Sequence, residues 1–145
     1  MKSNTMSKFN LLAISIGIVY LWFGALKFFP DLSPAESLAK DTIFELTFGL
    51  ITPKLAILLL ALWETCIGAL LILNKGMRIV LPLAILHILL TFTPLIIFPE
   101  KVFNEAPITL TLLGQYIVKN LIILSALVMM YHDARASQGS LIKVL

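Results

Sequence analysis

One cysteine and two histidines are all that this chain of 145 residues offers a thiolate- or imidazole-bound metal. The lone Cys66 excludes an intrachain disulfide and the CxxC exchange chemistry of some four-helix membrane oxidoreductases. It falls within an apolar run, where a cysteine is expected as a small buried hydrophobe. Charge is scarce as well: 11 basic and 8 acidic residues make 13% of the chain, about half the share usual in soluble proteins. So few charges cannot clothe a soluble surface. GxGxxG, Walker, HExxH and GxSxG signatures are missing, as are internal repeats and low-complexity tracts. The net charge of +3 comes from basic residues scattered through short loops, without the stripe of Lys and Arg that nucleic acid requires. No nucleic-acid partner is expected.

What the chain has is apolar length: 59% of its residues are hydrophobic and the mean hydropathy is +0.99. Four runs approach the roughly 20 residues needed to cross a bilayer. They predict an all-α integral membrane protein, a single domain over residues 1–145 with spans at about 9–29, 55–73, 77–98 and 112–131. Pro30, the Asn74-Lys75-Gly76 turn and Pro99 punctuate them. Short connections favour an up-and-down four-helix bundle with the lipid bilayer as its main partner. The first run is too long for a signal-peptide core and reads as a retained helix. Six basic residues lie in the terminal and second-to-third loops (Lys2, Lys8, Lys75, Arg78, Arg135, Lys143) against three opposite (Lys40, Lys54, Lys101). The positive-inside bias therefore places both termini in the cytoplasm.

The one long connection carries its own helix signature. Ser33-Pro34-Ala35-Glu36 reads as a capping box with proline at the first helical position. Ala35, Leu38, Ala39, Thr42 and Leu46 then recur at three- and four-residue steps, and Gly49 offers a stop. An amphipathic helix over about 34–48 should lie on the outer surface or cap the bundle. Pro99 to Thr111 shows no period.

Ionisable groups inside spans are the informative residues, because a charge near the bilayer centre costs about 2.5–3.5 kcal/mol on insertion scales and needs a partner. Glu64, His87 and Lys119 fall at similar depths, with Lys27 higher. Each helix has one small or polar face: Gly17, Tyr20, Gly24 and Lys27; Ala61, Glu64 and Gly68; Ala84, His87, Thr91 and Pro94; Gln115, Tyr116 and Lys119 with Asn120 on the flank. If all four point inward, Glu64 pairs with Lys119, either to fix helix register or as part of an outward-opening pocket of Tyr20, Lys27, Glu64, His87, Thr91, Gln115, Tyr116, Lys119 and Asn120. No metal site is expected. His87 and His132 stand too far apart, roughly 15 Å along the membrane normal, to share a haem iron. Trp22, Phe23, Phe28 and Phe29 suit lipid-interface anchors, or the wall of an apolar ligand site.

These faces carry a resemblance to the DoxX-like family of small four-helix membrane proteins, running from about Leu21 to Met130. Its carriers are Phe23-Gly24-Ala25-Leu26-Lys27-Phe28-Phe29, Trp63-Glu64 with Gly68, and Gly114-Gln115-Tyr116-Ile117-Val118-Lys119-Asn120-Leu121. The His87 to Pro94 stretch and Phe98-Pro99-Glu100 are similar too. The chain departs from the pattern in lacking an arginine near the start of the first helix, and in having Ile67-Gly68 where paired glycines are more usual. The resemblance implies a prokaryotic inner-membrane protein. Some relatives serve as subunits of quinone-linked oxidoreductases such as thiosulfate:quinone oxidoreductase, and others are linked to oxidative or thiol stress.

The expected role is a quinone-interacting or redox-accessory membrane subunit. Lys119 or Lys27 would stabilise negative charge, Glu64 or His87 would relay protons, and Tyr20 or Gln115 would orient a ring. Quinone is the one cofactor this chemistry suggests, without an evident binding motif. Electrons would come from a redox partner protein or a bound cofactor, since no cluster or haem pattern is present. Self-association and an activity of the chain's own stay open. The rival classes are a structural or assembly subunit, and a small transporter, which would need access from both sides through largely apolar inner halves.

Overall fold

The computed structural model describes residues 3–33, 35–105 and 107–142, with side chains between residues 8 and 136. The chain is an all-α, multi-pass membrane protein: four stretches, Lys8–Leu26, Pro53–Ile72, Met77–Ile97 and Leu112–Ala136, are long and apolar enough to span. In lipid each backbone N–H and C=O must find a partner within its own segment, and a helix alone achieves this for a single run. The elements in order are α1 (Ser3–Leu26), α2 (Glu36–Leu46), α3 (Pro53–Ile72), α4 (Met77–Leu90), α5 (Pro94–Ile97), α6 (Pro99–Val102), β1 (Phe103–Glu105), β2 (Thr109–Leu110) and α7 (Leu112–Ile142).

The first span closes earlier than expected. Lys27, Phe28 and Phe29 donate their N–H groups only three residues back, to Gly24, Ala25 and Leu26, in a tightened final turn. The third span is broken rather than continuous to Phe98. Pro94 has no N–H for the Leu90 carbonyl, which instead accepts from the Thr93 N–H at 3.2 Å and the Thr93 hydroxyl at 2.7 Å. The last helix continues through the segment expected as a polar tail from His132. The turn between α3 and α4 uses left-handed Asn74 (φ 52°) and Gly76 (φ 64°).

Helix α2 forms where its apolar period predicts, with different ends. No side chain caps its start; the Glu36 carboxylate accepts from the Asp31 N–H at 3.0 Å and pairs with Lys40 at 2.5 Å. Pro34 lies outside the described residues. The Lys40 bond holds the Glu36 carboxyl below the usual carboxylate range, and the Asp31 N–H lowers it further against the opposing effect of burial. At the other end the Gly49 N–H reaches the Phe44 carbonyl at 2.8 Å and the Phe48 N–H reaches Glu45 at 3.1 Å. This is a Schellman closure in which Phe48, not only Gly49, is left-handed. The aperiodic outer loop contains α6 and an antiparallel hairpin that pairs Phe103 with Leu110.

Helix α1 packs chiefly on α3, and α4 on α7. Two glycines let α1 and α3 touch along their backbones: a Cβ at Gly68 would lie 2.5 Å from the Leu21 nitrogen, and one at Gly24 would lie 2.9 Å from Glu64 Cβ. A large apolar cluster including Ala13, Leu71, Leu81, Leu127 and Met130 fills the half nearer the termini. A small one of Leu38, Val102 and Ile117 sits beneath α2. Cys66 is exposed on α3 and not buried as its apolar setting suggested.

Candidate functional site

Between these clusters lies a cavity of about 690 Å³, walled by α1, α3, α4 and α7 and roofed by α2. The face of α2 read from its period turns toward it through Leu38, Ala39 and Thr42. Most of the lining is aliphatic or aromatic, with Tyr20, Phe23, Trp63 and Tyr116 as its aromatic residues.

Its polar floor is a chain of side chains from three helices. The Lys27 ammonium donates to Glu64 Oε2 at 2.6 Å, and also contacts the Phe23 carbonyl at 3.3 Å. His87 Nε2 stands 3.2 Å from Glu64 Oε1. His87 Nδ1 is 3.0 Å from the Tyr20 hydroxyl, which is also 3.2 Å from the Ala84 carbonyl. All four side chains are buried. The edge of Tyr20 meets the imidazole, and Trp63 flanks it at 6.5 Å between ring centres. On the far wall the Asn120 amide donates to the Thr91 hydroxyl at 3.1 Å, and that hydroxyl donates to the Ile88 carbonyl at 2.6 Å.

Of the nine sequence candidates, Tyr20, Lys27, Glu64, His87, Thr91, Tyr116 and Asn120 line this cavity, whereas Gln115 and Lys119 do not. Both are exposed, and the Lys119 ammonium lies over the Tyr116 ring at 5.7 Å. The expected Glu64–Lys119 pair is therefore replaced by Glu64–Lys27. Two physical reasons account for this. Helix α7 turns its apolar stripe, with Ile117, Leu127 and Met130 buried, into the bundle, which leaves Lys119 outside. Lys119 is also only seven residues into α7, about 10 Å from the helix start, where a long side chain reaches the polar boundary. Lys27, expected in the pocket but higher than Glu64, reaches inward on its four-carbon stem because the Gly24 contact sets Glu64 beside the same turn.

Helix α2 takes the second of its two expected placements, capping the bundle as the roof of the pocket, whereas Trp63 as a wall beside His87 was missed. The α2 stripe and the Trp63-Glu64 neighbourhood were the signals available. Among the described residues, no three His, Cys, Asp or Glu side chains group as metal ligands would. Comparison with protein-family models, curated proteins and solved structures returns no match.

Proposed function

We propose that the chain is a DoxX-like inner-membrane protein, with both termini cytoplasmic, whose cavity binds the ring-shaped head group of a membrane quinone. In this reading it serves as the membrane subunit or accessory of a redox partner protein, which supplies the electrons. The observation that carries the reading is the cavity itself: about 690 Å³ of mostly apolar space, set against a buried floor of hydrogen-bonded Tyr20, His87, Glu64 and Lys27. Its volume falls within the roughly 300–1,000 Å³ of small-ligand sites. An isoprenoid quinone needs an apolar slot, flat walls and donors near its ring oxygens. Phe23, Trp63 and Tyr116 offer the walls, and Lys27 and Asn120 offer the donors. The largely apolar half nearer the termini favours a one-sided pocket over a transport path.

The test is titration of a short-chain soluble quinone into protein held in nanodiscs, alone and with its native partner. Wild-type protein should bind saturably. Ala39→Trp, which projects an indole from α2 into the cavity, should keep its helicity and bind about tenfold to hundredfold more weakly, as overpacking a filled site predicts. Absence of saturable binding in both settings would replace this reading with that of a structural subunit.

A further inference from the structure

We infer that His87 Nδ1 is a proton-binding site within the membrane and that the Tyr20 hydroxyl is the rotor that lets it load and unload. The argument starts from hydrogen-bond polarity. Glu64 Oε1 lies 3.2 Å from Nε2 and, as a carboxylate held by Lys27, can only accept. Nε2 therefore carries a hydrogen in either state of the ring. When His87 is neutral, Nδ1 is a bare acceptor, and the Tyr20 O–H, 3.0 Å away, donates to it. When His87 is protonated, Nδ1–H donates to the Tyr20 oxygen, and the phenol needs another acceptor. The Ala84 carbonyl, 3.2 Å from that same oxygen, is already in place.

One rotation of an O–H bond thus satisfies the donors of Tyr20 and His87 in both states. A buried histidine lacking such a second acceptor would leave one group stranded on each protonation change. Tyr20 also lines the cavity, so it stands on the route between cavity water and the ring. In the loading step a hydronium ion in the cavity becomes water, its proton passes to the Tyr20 oxygen, the phenol's own proton forms the N–H bond at Nδ1, and the phenol turns toward Ala84. Two protons shift in relay, the net transfer is one proton from hydronium to His87, and no electrons move.

The charges around His87 permit the gain. Helix α1 and its end contribute Tyr20 and Lys27, α3 contributes Glu64, and α7 contributes only the phenol of Tyr116, while α2 faces the cavity with groups that do not titrate. Glu64 already faces both Lys27 and the Nε2–H of His87, so on loading the floor moves from neutral to a single positive charge. Use of this proton on a bound head group rests on the quinone reading; the site itself does not.

Nitrogen-15 NMR of histidine-labelled protein in ligand-free nanodiscs tests the proposal, with His132→Asn removing the second histidine signal. Neutral His87 should be the Nε2–H tautomer with a hydrogen-bonded Nδ1, and acidification should add its second proton at Nδ1. Tyr20→Phe should lower the ratio of protonated to neutral His87 about tenfold, the excess of a charge-assisted bond over a neutral one. Should that variant not fold, 3-fluorotyrosine, a stronger donor and weaker acceptor, should move the ratio in the same direction. An Nδ1–H tautomer, a ring that takes up no proton on acidification, or a ratio indifferent to both changes would overturn the inference. A failed quinone titration would leave it standing.

Discussion

Glu64 sits at membrane depth with two nitrogen partners, and removing the Lys27 ammonium should show how far that cation holds it. Lys27→Met leaves the carboxylate only His87, at the longer distance of 3.2 Å against 2.6 Å for the ammonium. Breaking a buried pair from one side costs about 3–5 kcal/mol, because the remaining charge is stranded. Glu64→Gln is the milder change, since the amide oxygen still accepts from Lys27 and the lysine stem can extend toward the helix end; about 1–3 kcal/mol is expected, the cost of one poorly satisfied buried group. Lys27→Met combined with Glu64→Gln should recover at least 1 kcal/mol relative to the summed single losses. Lys119→Met, on the exposed side of α7, should fall within about 0.5 kcal/mol of wild type and add independently to Glu64→Gln. Reversible unfolding in mixed micelles of increasing denaturing detergent gives each of these differences. Additive losses at Lys27 and Glu64, or a coupling that appears at Lys119 instead, would refute the ion-pair assignment and with it the floor of the cavity.

Most of the fold was legible because bilayer crossing imposes one strong constraint: long apolar runs become helices. The same constraint made the inner faces of three helices readable. Gly17, Tyr20, Gly24, Lys27, Ala61, Glu64, Gly68, Ala84 and His87 are all buried. On α7 polarity misled, for a polar residue near a helix end finds water or head groups without facing inward. There the apolar spacing of Ile117, Leu127 and Met130 was the better guide to the buried side. Depth counted from Cα positions also failed for Lys27, whose side chain crosses almost a helical turn to reach its partner. The break at Thr91 to Thr93 was signalled by Pro94, yet a span can absorb a proline, so only the hydroxyl bonds of those threonines decide the outcome. The hairpin after α6 is too short for any period to mark it.

Three further results are expected. Gly68→Val should separate α1 from α3 and cost at least about 1–3 kcal/mol in the same unfolding assay, because its Cβ would meet the Leu21 backbone rather than a movable side chain; an unchanged midpoint would contradict the close helix contact. Single cysteines at Lys75 and Asn104, placed in a Cys66→Ser background, should label from opposite sides of the membrane, with Lys75 on the cytoplasmic side; labelling of both from one side would overturn the four-span course. The last concerns the roof of the cavity, and its sign follows from Glu36. That carboxyl is held below its ordinary value of 4.5 by Lys40 and by the Asp31 N–H, so the native state binds its proton less readily than the unfolded chain does. Its contribution is fully present above the ordinary value and is lost only as pH falls through the depressed one. Hydrogen exchange in α2 should therefore stay slow as the medium is acidified to pH 4.5, and quicken below it. Glu36→Gln should raise α2 exchange at neutral pH and remove the acid-dependent step, while the core of α3 keeps its protection. If α2 in wild type loosened well above pH 4.5, or if Glu36→Gln kept the same acid step, the roof would be held by a group other than Glu36.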